Sequence, residues 1–290
     1  DVCSSDLRPC KQADRTFNVH GVKLTCMMSH GKLRWVRETQ GQQGSGQQGS
    51  GEDLVDTQAD IPAVLQNLGF DLRPYDAATG RAGAMQIAGI TTPVFPAEPA
   101  QTANYRHTIS LYGESQPEGA EPQISFVLPL GTPVIAPVTG IVCEVITLYS
   151  GDKSVRIAPE GVPCVSGRAK VLVETEHVIQ PLVSVGQKVT AGQQIASVSD
   201  YTRWWTEKGL GIVELGIAIN RSNNQGMAWH SCPTLSLDKS KAASITSALA
   251  SAMTAWNAQL GAPQVFDTAK QNPLGCASTE WVGDSNSGRK

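Results

Sequence analysis

Charge is sparse in this chain. Of its 290 residues only 17% are charged, against about 25% in typical soluble domains, and the net charge is −3. That balance supplies no basic surface for nucleic acid or an anionic membrane. No apolar run approaches the ~20 residues that span a bilayer. The seven cysteines contain no Cys-x-x-Cys pair, which argues against a zinc ribbon or a thioredoxin motif. A Gly-rich phosphate loop, a Gly-x-Ser-x-Gly elbow and a calcium loop are likewise missing. The sequence opens on Asp1 with neither a Met nor a basic-then-apolar leader. The expectation is a secreted, extracytoplasmic protein whose signal peptide has been removed.

Cysteines spread along such a chain read as disulfides formed in an oxidising compartment. Local spacing suggests Cys10–Cys26, Cys143–Cys164 and Cys232–Cys276, with Cys3 left over. Spacing does not fix connectivity, and reduced buried cysteines are the alternative.

Five segments follow from composition and periodicity. Residues 1–38 alternate short β-prone runs (Thr16-Phe-Asn-Val, Val22-Lys-Leu-Thr-Cys, Lys32-Leu-Arg-Trp-Val-Arg) with Gly turns, which predicts a small hairpin module. So small a unit needs a staple, and Cys10–Cys26 would provide it. Residues 39–52 hold a perfect duplication, Gln42-Gln-Gly-Ser-Gly and Gln47-Gln-Gly-Ser-Gly, the composition of a flexible tether. In residues 53–120, Asp60-Ile-Pro-Ala-Val-Leu-Gln-Asn-Leu-Gly69 reads as a short helix capped by Asp and closed by Gly. The Pro/Gly/Ala-rich stretch from Tyr75 to Ala100 reads as extended loop. Residues 121–220 are strand-rich. Residues 221–290 carry the strongest helix, Lys239 to Leu260, with Ile245, Leu249, Met253 and Trp256 on one face packing against the β domain.

Within 121–220, Gly131-Thr-Pro-Val-Ile-Ala-Pro-Val-Thr-Gly-Ile-Val precedes Val185-Gly-Gln-Lys-Val-Thr-Ala-Gly-Gln-Gln-Ile, read as a strand, a Gly turn and a return strand. Biotinyl and lipoyl carrier domains share that pattern, with Lys153 as the one comparable attachment site. Glu176-His177-Val178, nine residues ahead of Gly186, and the long run Leu210 to Asn220 favour a different likeness. The region resembles the β-sheet core of the M23 (LytM-like) zinc peptidases that cut peptide cross-links in bacterial walls. The resemblance implies a mainly β fold: an antiparallel LytM/M23-like β-sandwich core with peripheral helices beside the small N-terminal module.

That family holds zinc with a His, an Asp four residues later and the second His of His-x-His, leaving a position for the nucleophilic water. Carried onto this chain, the first ligand falls on Glu121 and the Asp on Ser125. The two histidines of His-x-His fall on Glu214 and Gly216, and only the isolated upstream His survives, as His177. Glycine has no donor and neutral serine is a poor one. No histidine lies between His107 and His177, or between His177 and His230, so a small slip in alignment rescues nothing. The expectation is no catalytic zinc and no cofactor. His177 and Glu214 remain as candidate binding residues, with Trp204 and Trp205 as a candidate aromatic platform for sugar or peptide; an inherited structural histidine and a pair of tryptophans capping a core are the alternatives. His107 and His230 read as structural. Asn220-Arg-Ser222 matches the three-residue glycosylation pattern.

The resemblance then implies a degenerate, non-catalytic module that binds peptidoglycan or an envelope protein. The alternative is a self-assembling subunit of an extracellular filament, surface layer or phage particle. Third stands a zinc-dependent endopeptidase with atypical ligands.

Overall fold

The structure, a computed structural model, describes residues 16–19, 22–29, 32–37, 54–92, 107–116, 119–165, 169–221 and 229–283. The chain forms two compact units, Asp1–Ser50 and Gly51–Lys290. The first contains a three-stranded antiparallel sheet of β1 (Thr16–Val19), β2 (Val22–Ser29) and β3 (Lys32–Arg37). The expected Cys10–Cys26 bridge and Cys3 lie outside the described residues.

The second unit is mainly β. Two minor hairpins precede its large sheet: β4 (Arg81–Ala82) with β5 (Met85–Gln86), and β7 (Ser115–Gln116) with β8 (Gly119–Ala120). Between them β6 (Ile109–Ser110) pairs with β9 (Ile124–Pro129). The sheet continues through β10 (Pro133–Ile135), β11 (Gly140–Thr147), β12 (Lys153–Pro159), β13 (Val171–Ile179), β14 (Lys188–Val189) and β15 (Gln194–Val198). It is completed by β16 (Leu210–Ile219), β17 (Trp229–Ser231) and β18 (Val282–Gly283). Its spine runs β14-β11-β12-β13-β16-β17-β18, all antiparallel. β16 organises it: β13 lies along one edge, while β9 and β17 share the other, β9 on residues 210–215 and β17 on residues 217–219.

One apolar core draws on three of the segments separated above. Val55, Leu65 and Phe70 meet Ile124, Phe126, Val173 and Leu215 from the sheet, and Leu249, Met253 and Trp256 from the C-terminal region. The last three lie on the long helix α2 (Ala242–Leu260), which follows a four-residue turn α1 (Arg203–Thr206). The expected stripe therefore packs inward; each such fully buried side chain stabilises the fold by about 1.5–3 kcal/mol. Disulfides join Cys143 to Cys164 and Cys232 to Cys276. Buried Tyr112 ties the last strands down: its hydroxyl lies 2.7 Å from the carbonyls of His230 and Glu280 and accepts the Val282 amide.

Three expectations are corrected. Residues 60–69 are not helical: a 3-10 turn covers Gln58–Asp60, and Ile61 is extended (φ −91°, ψ 119°) because Pro62 excludes the helical region from the residue before it. The amides of Val64 and Leu65 bond instead to the Ser236 carbonyl. The Tyr75–Ala100 loop contains the β4–β5 hairpin; residues 93–100 lie outside the described residues. The 185–195 stretch is no hairpin either. Gly186 and Gly192 (φ 86° and 87°) make two separate turns, so β14 pairs with β11 while β15 pairs with β10 and β13.

Candidate functional site

Residues directly opposite in a ladder point to the same side of the sheet, and those next to them along the strand point away. Two cross-strand rows follow from the register. One sets Ser125 of β9 opposite Glu214 of β16, which faces Glu176 of β13. The other runs Gly216 (β16), Glu174 (β13), Arg156 (β12), with Glu144 of β11 opposite Arg156. Polar side chains thus gather on one face, while Val173, Val213, Leu215 and Ile217 fill the core behind.

Glu174, fully buried, is the centre of the second row. Its Oε1 lies 2.6 Å from His230 Nε2 and accepts from Gln123 Nε2 at 2.8 Å, and its Oε2 lies 3.0 Å from Arg156 Nε. Burial alone would raise this carboxyl. The charges of His230 and Arg156, with the hydrogen bonds, outweigh it and bring the group down to about 2. Arg156 also reaches Glu144 and Glu176, each at 3.3 Å. One planar guanidinium therefore serves three carboxylates.

The first row ends on His177. β13 carries one extra residue relative to β12 between Thr175 and Val178, and His177 takes up the resulting bulge with φ 56°. Its Nδ1 lies 3.0 Å from Asp152 Oδ2, Nε2 lies 3.5 Å from Glu214 Oε2, and Tyr201 stacks on the ring at 3.6 Å between centroids. Tyr149, 80% exposed, stands edge-on to it. Asp152 also accepts from the Ser150 hydroxyl. Burial would lower the His177 pKa, but the facing Glu214 and the hydrogen-bonded Asp152 more than reverse this and raise it. Burial pushes Glu214 up to about 7, with Glu176 and Glu174 adding repulsion against the pull of His177. Glu176 is raised for the same reasons, burial first and then the charge of Glu174.

Of the degenerate positions, the structure joins His177 to Glu214 and places Ser125 and Gly216 in the adjoining ladder. Glu121 instead precedes β9 and closes the β7–β8 hairpin, exchanging backbone hydrogen bonds with Gly113 and Glu114. A zinc site does not fit these residues. A Cβ at Gly216 would lie 2.6 Å from Glu174 Oε1 and 2.9 Å from Gln123 Cγ, so the space for an imidazole there is filled by protein. Among the described residues no group of three or more His, Cys, Asp or Glu is arranged to hold a metal ion.

The tryptophan platform is corrected. Trp205 is 1% exposed and packs with Val127 and Leu210; only Trp204 is half-buried, with the Arg203 guanidinium 5.8 Å from its ring. Neighbours on a helical turn point about 100° apart, so the pair cannot present one surface. Lys153, the carrier-type position, bonds its Nζ to Thr147 at the turn end of the β11–β12 hairpin. His230 is buried, with its Nε2 against Glu174 Oε1. Sequence reading missed Asp152, Arg156, Glu174, Glu176 and Tyr201. The Glu174-Thr-Glu176 spacing inside an apolar strand was the available signal for a charged face.

No family model matches the sequence, and no curated protein does. Several solved structures align in part. The antimicrobial peptidase lysostaphin from Staphylococcus simulans matches at 23% identity over 49% of this chain and 54% of its own, with a TM-score of 0.35. This chain thus spans about half the length of that relative. The catalytic domain of the prophage-encoded M23 protein EnpA from Enterococcus faecalis matches at 22% identity, over 49% of this chain and 94% of that one, with a TM-score of 0.32. A zinc-containing peptidase from Vibrio cholerae matches at 17% identity, over 71% and 47%, again with a TM-score of 0.32.

Proposed function

We propose that this chain is a non-catalytic, extracytoplasmic module that binds a cell-envelope ligand, peptidoglycan or an envelope protein, along the polar face of its sheet. One observation carries the reading: the Glu174 carboxylate, held by His230, Gln123 and Arg156, fills the space over Gly216 where the M23 resemblance expects a zinc-binding imidazole. The donors are spent on one another. At the His177 end the imidazole is itself buried, stacked on Tyr201, and a ligand would meet exposed Tyr149 and the half-buried Glu214 carboxylate beside it.

The test pairs metal content with wall binding. Protein purified without chelator and dialysed against metal-free buffer should hold less than about a tenth of an equivalent of zinc by mass spectrometry. The same protein should co-sediment with purified peptidoglycan without releasing soluble fragments, and His177→Ala with Glu214→Ala should weaken that association. Near-stoichiometric zinc with fragment release would overturn the reading in favour of hydrolysis. Ordered polymers with no wall binding would overturn it in favour of a self-assembling subunit.

A further inference from the structure

A cleft opens where three distant stretches of the second unit meet: the 3-10 turn Gln58–Asp60, the 3-10 turn Pro233–Ser236 that follows β17, and the residues just ahead of β18. Its volume is about 550 Å³, inside the roughly 300–1,000 Å³ of small-molecule sites. Leu235, 36% exposed, and half-buried Trp281 give it an apolar wall. Gln58, Thr279 and Glu280 give it polar ones.

The polar groups are of both kinds and are not spent on one another. Trp281 Nε1 can only donate, so the Gln58 atom 3.4 Å from it must be the amide oxygen, which also accepts from Ser231 Oγ at 2.7 Å. Those two bonds fix which way the amide is turned and leave its Nε2 with two N–H donors. Among the described residues, Gln58 Nε2, the Thr279 hydroxyl and the Glu280 carboxylate have no hydrogen-bond or ion-pair partner. The Thr57 hydroxyl, by contrast, is taken by Asp60 at 3.0 Å, and Asp56 is engaged as well. Charge narrows the ligand further. Glu280 opposes an anion, and Arg221, a cation in the same lining with its guanidinium carbon 4.5 Å from the Trp281 ring centroid, opposes an ammonium.

We infer that this cleft binds a neutral sugar ring. A pyranose carries no charge, offers C–H surface to the Leu235 and Trp281 wall, and is rimmed by hydroxyls that each both donate and accept. Those hydroxyls match the unpaired groups: they accept from Gln58 Nε2, donate to Glu280 and do either with Thr279. A wholly apolar ligand would instead strip water from Gln58 and Glu280 without replacing its hydrogen bonds. The site is separate from the His177 end and does not depend on what binds there.

The test is a titration of the full chain by saturation-transfer NMR, which reads weak binding directly. Methyl glucoside, methyl galactoside and N-acetylglucosamine are the neutral sugars; glucuronate, glucosamine and N-acetylalanine amide are the anionic, cationic and peptide comparisons. At least one neutral sugar should saturate with a Kd at or below about 10 mM, and the three comparisons should bind at least about tenfold more weakly than it does. Gln58→Glu keeps the oxygen that Ser231 and Trp281 use and removes the amide donors, while Glu280→Ala removes the acceptor from an exposed position. Each should weaken sugar binding at least about fivefold, the loss of one good hydrogen bond. The titrations of the unsubstituted protein stand whether or not the variants fold. No saturable sugar, equal binding of any comparison compound, or sugar binding untouched by both substitutions would overturn the assignment.

Discussion

Adding a single methyl group at Gly216 should unfold a large part of this protein's stability margin, and the size of the loss can be worked out. The new Cβ would stand 2.6 Å from Glu174 Oε1 and 2.9 Å from both Glu174 Cγ and Gln123 Cγ. Real carbon–oxygen contacts are longer, so the Glu174 side chain must move. Gly216 sits mid-strand between β13 and β9, which leaves its backbone little room to yield. Moving Glu174 breaks the contacts to His230 at 2.6 Å and Gln123 at 2.8 Å. Hydrogen bonds to charged groups contribute about 1.5–3 kcal/mol each, so Gly216→Ala should cost about 3–6 kcal/mol. That is a large share of the roughly 5–15 kcal/mol that holds a typical domain folded. Urea unfolding followed by tryptophan fluorescence reads the loss as a shift in midpoint. The reasoning also demands coupling. Once Glu174→Ala has removed the obstructing carboxylate, only the Gln123 Cγ contact remains, so the same methyl should cost at least about 2 kcal/mol less than in the parent, read as non-additivity in the double-mutant cycle. Additive costs, or a Gly216→Ala variant as stable as the parent, would refute the idea that Glu174 occupies this space.

Three further outcomes are expected. The folded pKa of Glu214 is raised from 4.5 to about 7 and that of His177 is raised above 6.5, so both stabilise most at low pH and that contribution is lost as pH rises through those folded values. The protein should therefore be more stable near pH 5 than near pH 7.5, and Glu214→Gln should flatten the difference; an unchanged pH slope would count against the assignment. Glu174, lowered from 4.5 to about 2, acts oppositely, so stability should fall again below pH 4.5 as acid titration proceeds. Tyr112→Phe leaves the His230 and Glu280 carbonyls and the Val282 amide without their shared partner and should cost about 1–3 kcal/mol, seen as a lower melting temperature. Because Cys232–Cys276 closes a 44-residue separation against 21 for Cys143–Cys164, removing the former pair by Cys→Ser should lower the unfolding midpoint more. Equal losses would show that loop length does not set their contributions.

The sheet was legible in the sequence where local rules decide. Alternation in Ile141–Ile146, the β-branched run at Lys170–Thr175 and the Ala-rich helix before Gly261 each appear near where they were expected. Asp60–Gly69 misled because its spacing is helical while Pro62 disfavours the helix, and Ser236 and Asp238, on either side of the distant bridge partner Leu237, supply the hydrogen bonds. The site was half legible. His177 and Glu214 stood out through the family likeness, but their setting depends on a bulge in β13 and on register across five strands, neither of which is local. Trp204 and Trp205 looked like a platform because adjacency in sequence was taken for adjacency on a surface. Glu174 and His230 lie 56 residues apart, and nothing in either's neighbours announces the pairing.

The shared edge of β16 has a consequence for how the molecule can be made. A chain that emerges from its N-terminal end can pair β9 with residues 210–215 as soon as β16 exists, but residues 217–219 must wait for β17, and β17 for β18. Leu65 waits equally for Leu237, and Cys232 for Cys276. The 217–219 edge stays open until residue 231 is available, the core lacks its helix until residue 260, and β17 lacks its outer partner until residue 283. This is the state most exposed to pairing with another copy. A nascent copy should thus depend on shielding until these partners have been made, and oxidation before Cys276 is available would trap Cys232 with the wrong partner.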